Sequence, residues 1–237
     1  MCCVRLPSLL PRRSIKSLHP DTFHTFMVRT LLLAVECGVL FIGLPLVIKY
    51  RLVPNFPIPY LMATGLVIFI LLRHDPSFDS TRLFSWGNYR PFLPRVLVRD
   101  AVCLAFLGLA VRLFQPELLF SLLKHRPWLW AFIMVLYPLV SVYPQELLYR
   151  AFFFHRYRPL FGSGWTLLLA SALAFGLVHI VFGNWLSVAL CMIGGVLFSY
   201  TYQQSDSLLL TCLEHSIFGN FIFTIGLGQF FYHGTRP

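Results

Sequence analysis

Seven apolar runs constrain this chain more than any other feature. They lie at about 28–48, 57–73, 98–114, 128–158, 164–182, 184–203 and 206–232, and most approach the roughly 20 residues that a helix needs to cross a bilayer. A backbone in lipid must satisfy its own hydrogen bonds, so runs of this length are expected to be helices. Only 12% of the 237 residues are charged, against about 25% in an ordinary soluble domain. The expected fold is therefore all-α, a polytopic transmembrane bundle of about seven spans. The length suits one compact bundle. It divides into a basic N-terminal tail (1–26), N-terminal transmembrane helices with a polar loop (27–127), a helical core (128–232) and a short tail (233–237).

The charge pattern orients the bundle. The longest polar loop joins the second and third runs and carries Arg73, Arg82, Arg90, Arg95 and Arg99, which marks it as cytoplasmic by the positive-inside rule. Lys49 with Arg51 and Lys124 with Arg126 pull the other way. The net charge of +10 is spread between apolar runs instead of forming one stripe, so no nucleic-acid partner is expected. Arg5, Arg12, Arg13 and Lys16 sit in the tail without a small-residue cleavage site after a short apolar core, so no removable signal peptide is expected. Met27 is an alternative start. Six cysteines form no CxxC pair, which argues against a disulfide framework or a zinc knuckle. Cys2 and Cys3 read as incidental thiols that acylation could reach.

Ionisable groups inside apolar runs need a reason, because each costs about 2.5–3.5 kcal/mol or more at membrane depth. Glu146 lies in the fourth run, His179 in the fifth and His215 in the seventh. Pro138 is expected to kink the fourth run, which then continues as helix to about Leu160. Glu146 and His179 flank the following turn at similar depth, roughly 21–23 Å from it, and His215 lies roughly 15 Å into its own helix. Ordinary tilt absorbs the difference, so one carboxylate and two imidazoles can meet. Arg150, one turn after Glu146, can pair with it. Glu36 is an unexplained acidic residue at depth that an arginine could pair. Glu214 is either a partner of His215 or a lipid-shielded polar group. Gly194–Gly195 fits close helix packing, and His155, Arg156 and Arg158 mark the end of the fourth run.

Three groups converging outweigh the plainer reading, in which Glu146–Arg150 is an internal ion pair and each histidine a packing residue. Two chemistries suit the set. Glu146 can accept a proton from a water that the histidines position, making a nucleophile for a peptide carbonyl. Alternatively, His179 and His215 with a carboxylate hold zinc that acidifies the water. The chain lacks HExxH, so no cofactor is required, and zinc is possible.

The order Glu146–Arg150 (QELLYR), Phe175–His179 (FGLVH) and His215 followed by Asn220 (HSIFGN) resembles the CPBP intramembrane proteases. These include the type II CAAX prenyl endopeptidases and the bacterial bacteriocin-processing and Abi proteins. The resemblance covers roughly residues 128–232. It implies a helical bundle with its active site in a cavity, cleaving a peptide close to a membrane anchor by zinc or by glutamate. Two departures stand out. The family motif begins with two glutamates, the first assigned to water activation, and here that position is Gln145. The family asparagine lies four residues after the histidine, where this chain has Gly219, with Asn220 one later.

The expected activity is an intramembrane endopeptidase acting on a membrane-tethered, lipidated or prenylated peptide in a multi-pass cell-membrane setting, a bacterial inner membrane foremost. Glu146 is the expected base, His179 and His215 orient water or hold metal, Arg150 and Gln145 support Glu146, and Asn220 stabilises the oxyanion. The rivals are an impaired relative serving as an immunity or scaffold protein, for which Gln145 is the main support, and a small proton-coupled transporter. The transporter would need two related halves, and the sequence shows no such symmetry.

Overall fold

The computed structural model describes residues 20–54 and 56–232. The tail with Cys2 and Cys3, and His233 and Arg236 at the other end, lie outside the described residues. Every described secondary element is helical, and each apolar run contains one long helix. Helix α1 runs through Pro20–Gly38, a π-helical turn at Val39–Gly43 and Leu44–Lys49. It is followed by α2 (Pro57–His74), α3 (Leu93–Phe114), α4 (Pro127–Arg156), α5 (Trp165–Val178), α6 (Trp185–Ser205) and α7 (Leu208–Thr224).

Among the described residues, five helices are long and apolar enough to cross a membrane: His24–Lys49 within α1, α2, α4, Trp165–Phe182 containing α5, and α6. Helix α7 is apolar but shorter. Helix α3 is 22 residues long and carries Arg95, Arg99, Asp100 and Arg112. The outward faces are apolar, with Phe106, Phe114, Trp128, Phe132 and Leu139 all exposed, as expected where the solvent is lipid. This is an all-helical multi-pass membrane bundle.

Three boundaries differ from expectation, each for a local reason. Helix α3 begins at Leu93, with Pro94 in its first turn, where the missing N–H costs nothing. Arg95 and Arg99 therefore belong to a helix and not to the polar loop. Helix α4 stops at Arg156, and a separate turn, Arg158–Phe161, carries Pro159; a continuous helix would drive that ring into the carbonyl four residues earlier. Helix α7 ends at Thr224, and Gly226 at φ 92° turns the chain into Leu227–Phe230.

Helix α4 is the centre of the bundle. Gln145, Glu146, Leu147, Tyr149, Arg150, Ala151, Phe152 and Phe153 are all buried, so this stretch meets neighbours on every side. Two π-helical turns, Pro138–Val142 and Leu147–Phe152, bracket Glu146; such bulges widen a helix locally and recur at functional sites. Helices α5 and α6 pack most closely. A Cβ on Gly195 would stand 3.0 Å from the Ala172 Cα, so the glycine serves the close packing its sequence context suggested.

Candidate active site

The site is built from the middle of α4, the end of α5 and the middle of α7. His215 Nδ1 lies 2.7 Å from Glu146 Oε1, and Arg150 Nε lies 3.1 Å from Glu146 Oε2. Glu146 and Arg150 are fully buried. The ion pair is close without being aligned as a hydrogen bond, and no guanidinium nitrogen of Arg150 has a hydrogen-bond partner. The cation is held instead over aromatic rings, 4.7 Å from the Phe175 centroid and 5.6 Å from that of Phe198. Attraction to the ring faces offsets part of its desolvation. Phe198 also stacks on His215 at 4.7 Å.

His179 lies at the junction of α5 with the turn His179–Phe182. Its Nδ1 is 2.7 Å from the Phe175 carbonyl, an oxygen that can only accept, so the proton sits on Nδ1 and Nε2 presents its lone pair. No described side chain bonds that Nε2. Phe175 stands between the histidines, 5.0 Å from His179 and 5.4 Å from His215, edge to face with both. The structure thus joins Glu146, Arg150 and His215 directly and sets His179 beside them across one ring.

Gln145 folds back within its own helix: Nε2 donates to the Ser141 carbonyl at 3.0 Å and to the Ser141 hydroxyl at 2.7 Å. Asn220 meets a different need. Pro138 has no N–H, so the Met134 carbonyl loses its helical donor, and Asn220 Nδ2 donates to it at 3.3 Å. The amide is thereby committed to α4 and makes no hydrogen bond to Glu146 or His215.

The sequence did not single out Tyr137. Its hydroxyl lies 3.0 Å from His215 Nε2, and its ring fills the space that a side chain at 219 would take. The available signal was Gly219 itself, a missing side chain facing an aromatic residue just before a proline.

A zinc site needs three or four nitrogen, sulfur or carboxylate ligands around one point. Among the described residues no three His, Cys, Asp or Glu side chains are so grouped. Both ring nitrogens of His215 are engaged, by Glu146 and by Tyr137, and His179 offers only Nε2. This donor set does not fit a zinc ion.

Two further ionic clusters accompany this centre. Arg156 bonds Glu36 at 2.6 and 3.0 Å, joined by the Tyr157 hydroxyl at 3.0 Å, so Glu36 has the arginine its depth called for. Arg99 bonds Glu214, Asp100 and Thr201 together. Glu214 is fully buried, is bonded by Arg99 and makes no hydrogen bond to its neighbour His215. An apolar groove of about 850 Å³ runs between α1, α2 and α4, with Glu36, Asp75, His155 and Arg156 among its lining residues. Tyr149 lines this groove and packs edge to face on Phe175 at 5.3 Å, so it forms the wall between groove and site.

No curated protein and no solved structure matches the chain. A family model does match: residues 126–221 fit the type II CAAX prenyl endopeptidase Rce1-like family, the segment that contains all of α4, α5 and α6 and most of α7. The ordered polar residues Glu146, Arg150, His179, His215 and Asn220 all lie within that segment, and the match is consistent with a CPBP-type intramembrane protease.

Proposed function

We propose that the chain is an intramembrane endopeptidase that hydrolyses a peptide bond of a membrane-tethered or lipidated substrate with water activated by Glu146 and His215. The observation that carries this is the 2.7 Å contact between the Glu146 carboxylate and His215 Nδ1 inside an apolar bundle. A carboxylate there fixes the proton on Nδ1, turns Nε2 into the basic atom and stabilises the imidazolium formed when that atom takes a proton. Glu146 thus acts through His215 and holds the compensating charge, and Arg150 faces that carboxylate as its counter-ion. The His179 Nε2 lone pair holds the attacking water. The water oxygen bonds the carbonyl carbon, its proton goes to the Glu146–His215 couple, and that proton then moves to the leaving nitrogen. Gln145 and Asn220 support the centre by fixing the backbone of α4.

The groove beside Tyr149 gives the apolar part of a tethered substrate a lateral approach, in a multi-pass membrane protein for which a bacterial inner membrane is the proposed setting. The test is cleavage of membrane-anchored peptides by detergent-purified protein. Glu146→Gln is expected to lower kcat by about 100-fold or more; cleavage unaffected by Glu146→Gln would overturn the mechanism.

One observation favours a second reading, an impaired relative serving as a scaffold or immunity protein. Gln145 stands where the family has its first glutamate, and its amide is spent on Ser141. Gln145→Glu separates the two: a rise in turnover belongs to a working site, and cleavage absent in both forms across a panel of anchored peptides belongs to the scaffold.

A further inference from the structure

We propose that Tyr137 is the third member of a carboxylate–imidazole–phenol relay, connecting the Glu146–His215 couple to the attacking water; this rests on the peptidase reading above. The ring of His215 is held at both nitrogens, by Glu146 at 2.7 Å and by the Tyr137 hydroxyl at 3.0 Å. With Nδ1–H donated to the carboxylate, a neutral ring accepts at Nε2, so the phenol is the donor. Its O–H therefore stands on the one basic atom that the mechanism uses.

The placement is built by α4 and α7 together. Pro138 frees the Met134 carbonyl, and Asn220 binds it, which latches the two helices one turn before Tyr137. Gly219, the neighbour of Asn220, then offers the space into which the phenol fits, since any Cβ at 219 would collide with the Tyr137 ring and hydroxyl. Phe223 closes the seat from the other side at 5.5 Å. The pair Gly219–Asn220 thus does two tasks: Asn220 pins α4, and Gly219 admits the phenol to His215. A polar side chain at 219 itself would be excluded by the tyrosine, which gives the shifted asparagine of this chain a physical reason.

In the reaction, the water proton passes to Tyr137 Oη as the phenol's own proton passes to His215 Nε2, and the water oxygen bonds the carbonyl carbon. The imidazolium is balanced by Glu146. Reversal of the same path returns one proton to the amide nitrogen as the C–N bond breaks, so the phenol is regenerated and nothing else is consumed.

The experiment compares full-length wild type, Tyr137→Phe and Gly219→Ala in detergent, with cleavage of an anchored peptide and ¹⁵N NMR of the histidine rings as separate readouts. Tyr137→Phe keeps the ring and removes only the hydroxyl. It is expected to lower kcat by about 100-fold with KM little changed, and to move the His215 Nε2 resonance as its hydrogen bond is lost. Gly219→Ala is expected to evict the phenol and reproduce both effects. An unmoved Nε2 resonance in Tyr137→Phe overturns the proposal without any substrate. Unchanged kcat in Tyr137→Phe, with wild type cleaving, overturns the relay and leaves the peptidase reading standing. A wild type that cleaves nothing counts against the peptidase reading and against the relay that rests on it, while the resonance still reports the Tyr137–His215 contact.

Discussion

Glu146 and Arg150 face each other at 3.1 Å in the centre of the bundle, and neither side chain has any exposed surface. A buried ion pair adds little net stability, because desolvation offsets the attraction, but breaking one strands the remaining charge.

Arg150→Met keeps most of the side-chain volume and removes the cation. It is expected to destabilise the fold by about 3–5 kcal/mol, because Glu146 is left as a buried anion. Adding Glu146→Gln removes that anion, so the double variant is expected to recover part of the loss. Denaturation of the single and double variants in detergent micelles checks this. A double variant no more stable than Arg150→Met would show that packing on Phe175 and Phe198, and not charge, sets the cost.

The residues of this pair were legible in the sequence because ionisable groups inside apolar runs are costly and therefore conspicuous; Glu36 was conspicuous for the same reason, but its partner Arg156 read only as the end of the fourth run. The seven helices were legible because span length is fixed by the bilayer. Tyr137 was not, since an aromatic residue in an apolar run reads equally well as lipid-facing. Asn220 was seen but not its partner, because the Met134 carbonyl becomes needy only through Pro138 and is met from another helix. Arg99 read as a loop charge until α3 proved to start earlier and carry it inward to Glu214.

The Arg99 cluster places one cation against two buried carboxylates, Asp100 and Glu214, each with one oxygen lacking any partner. Arg99→Met should cost about 3 kcal/mol or more, and Glu214→Gln in the same chain should restore part of it. The readout is the melting temperature in detergent. Glu214 is the chain neighbour of His215 but bonds Arg99 and not the ring, so turnover at a temperature where both proteins are folded should stay near wild type, and a large fall in kcat would tie the cluster to the site.

Asp75 follows α2 and carries a pH dependence of its own. Hydrogen bonds from Ser77, then the bond to His155, hold its carboxyl below the usual 3.8, at about 2. A depressed folded value means that the stabilisation is present above about pH 4 and is lost as pH falls towards 2. Asp75→Asn removes that dependence. Melting curves from pH 5 to pH 2 should therefore fall more steeply for wild type than for Asp75→Asn, and parallel curves would show that the contacts carry no linkage to folding.

Metal removal divides the two chemistries that suit a carboxylate with two histidines. Zinc at His215 requires a free ring nitrogen, yet Nδ1 is taken by Glu146 and Nε2 by Tyr137, and His179 Nδ1 is tied to its own helix. Binding would have to break at least one buried hydrogen bond and find further ligands, against the three or four that zinc holds in stable sites. Cleavage is accordingly expected to survive a strong chelator, and added zinc is expected not to stimulate it. Activity lost under the chelator and restored by zinc would show that His215 releases Tyr137 in the working enzyme, which would replace the phenol relay with a metal-bound water.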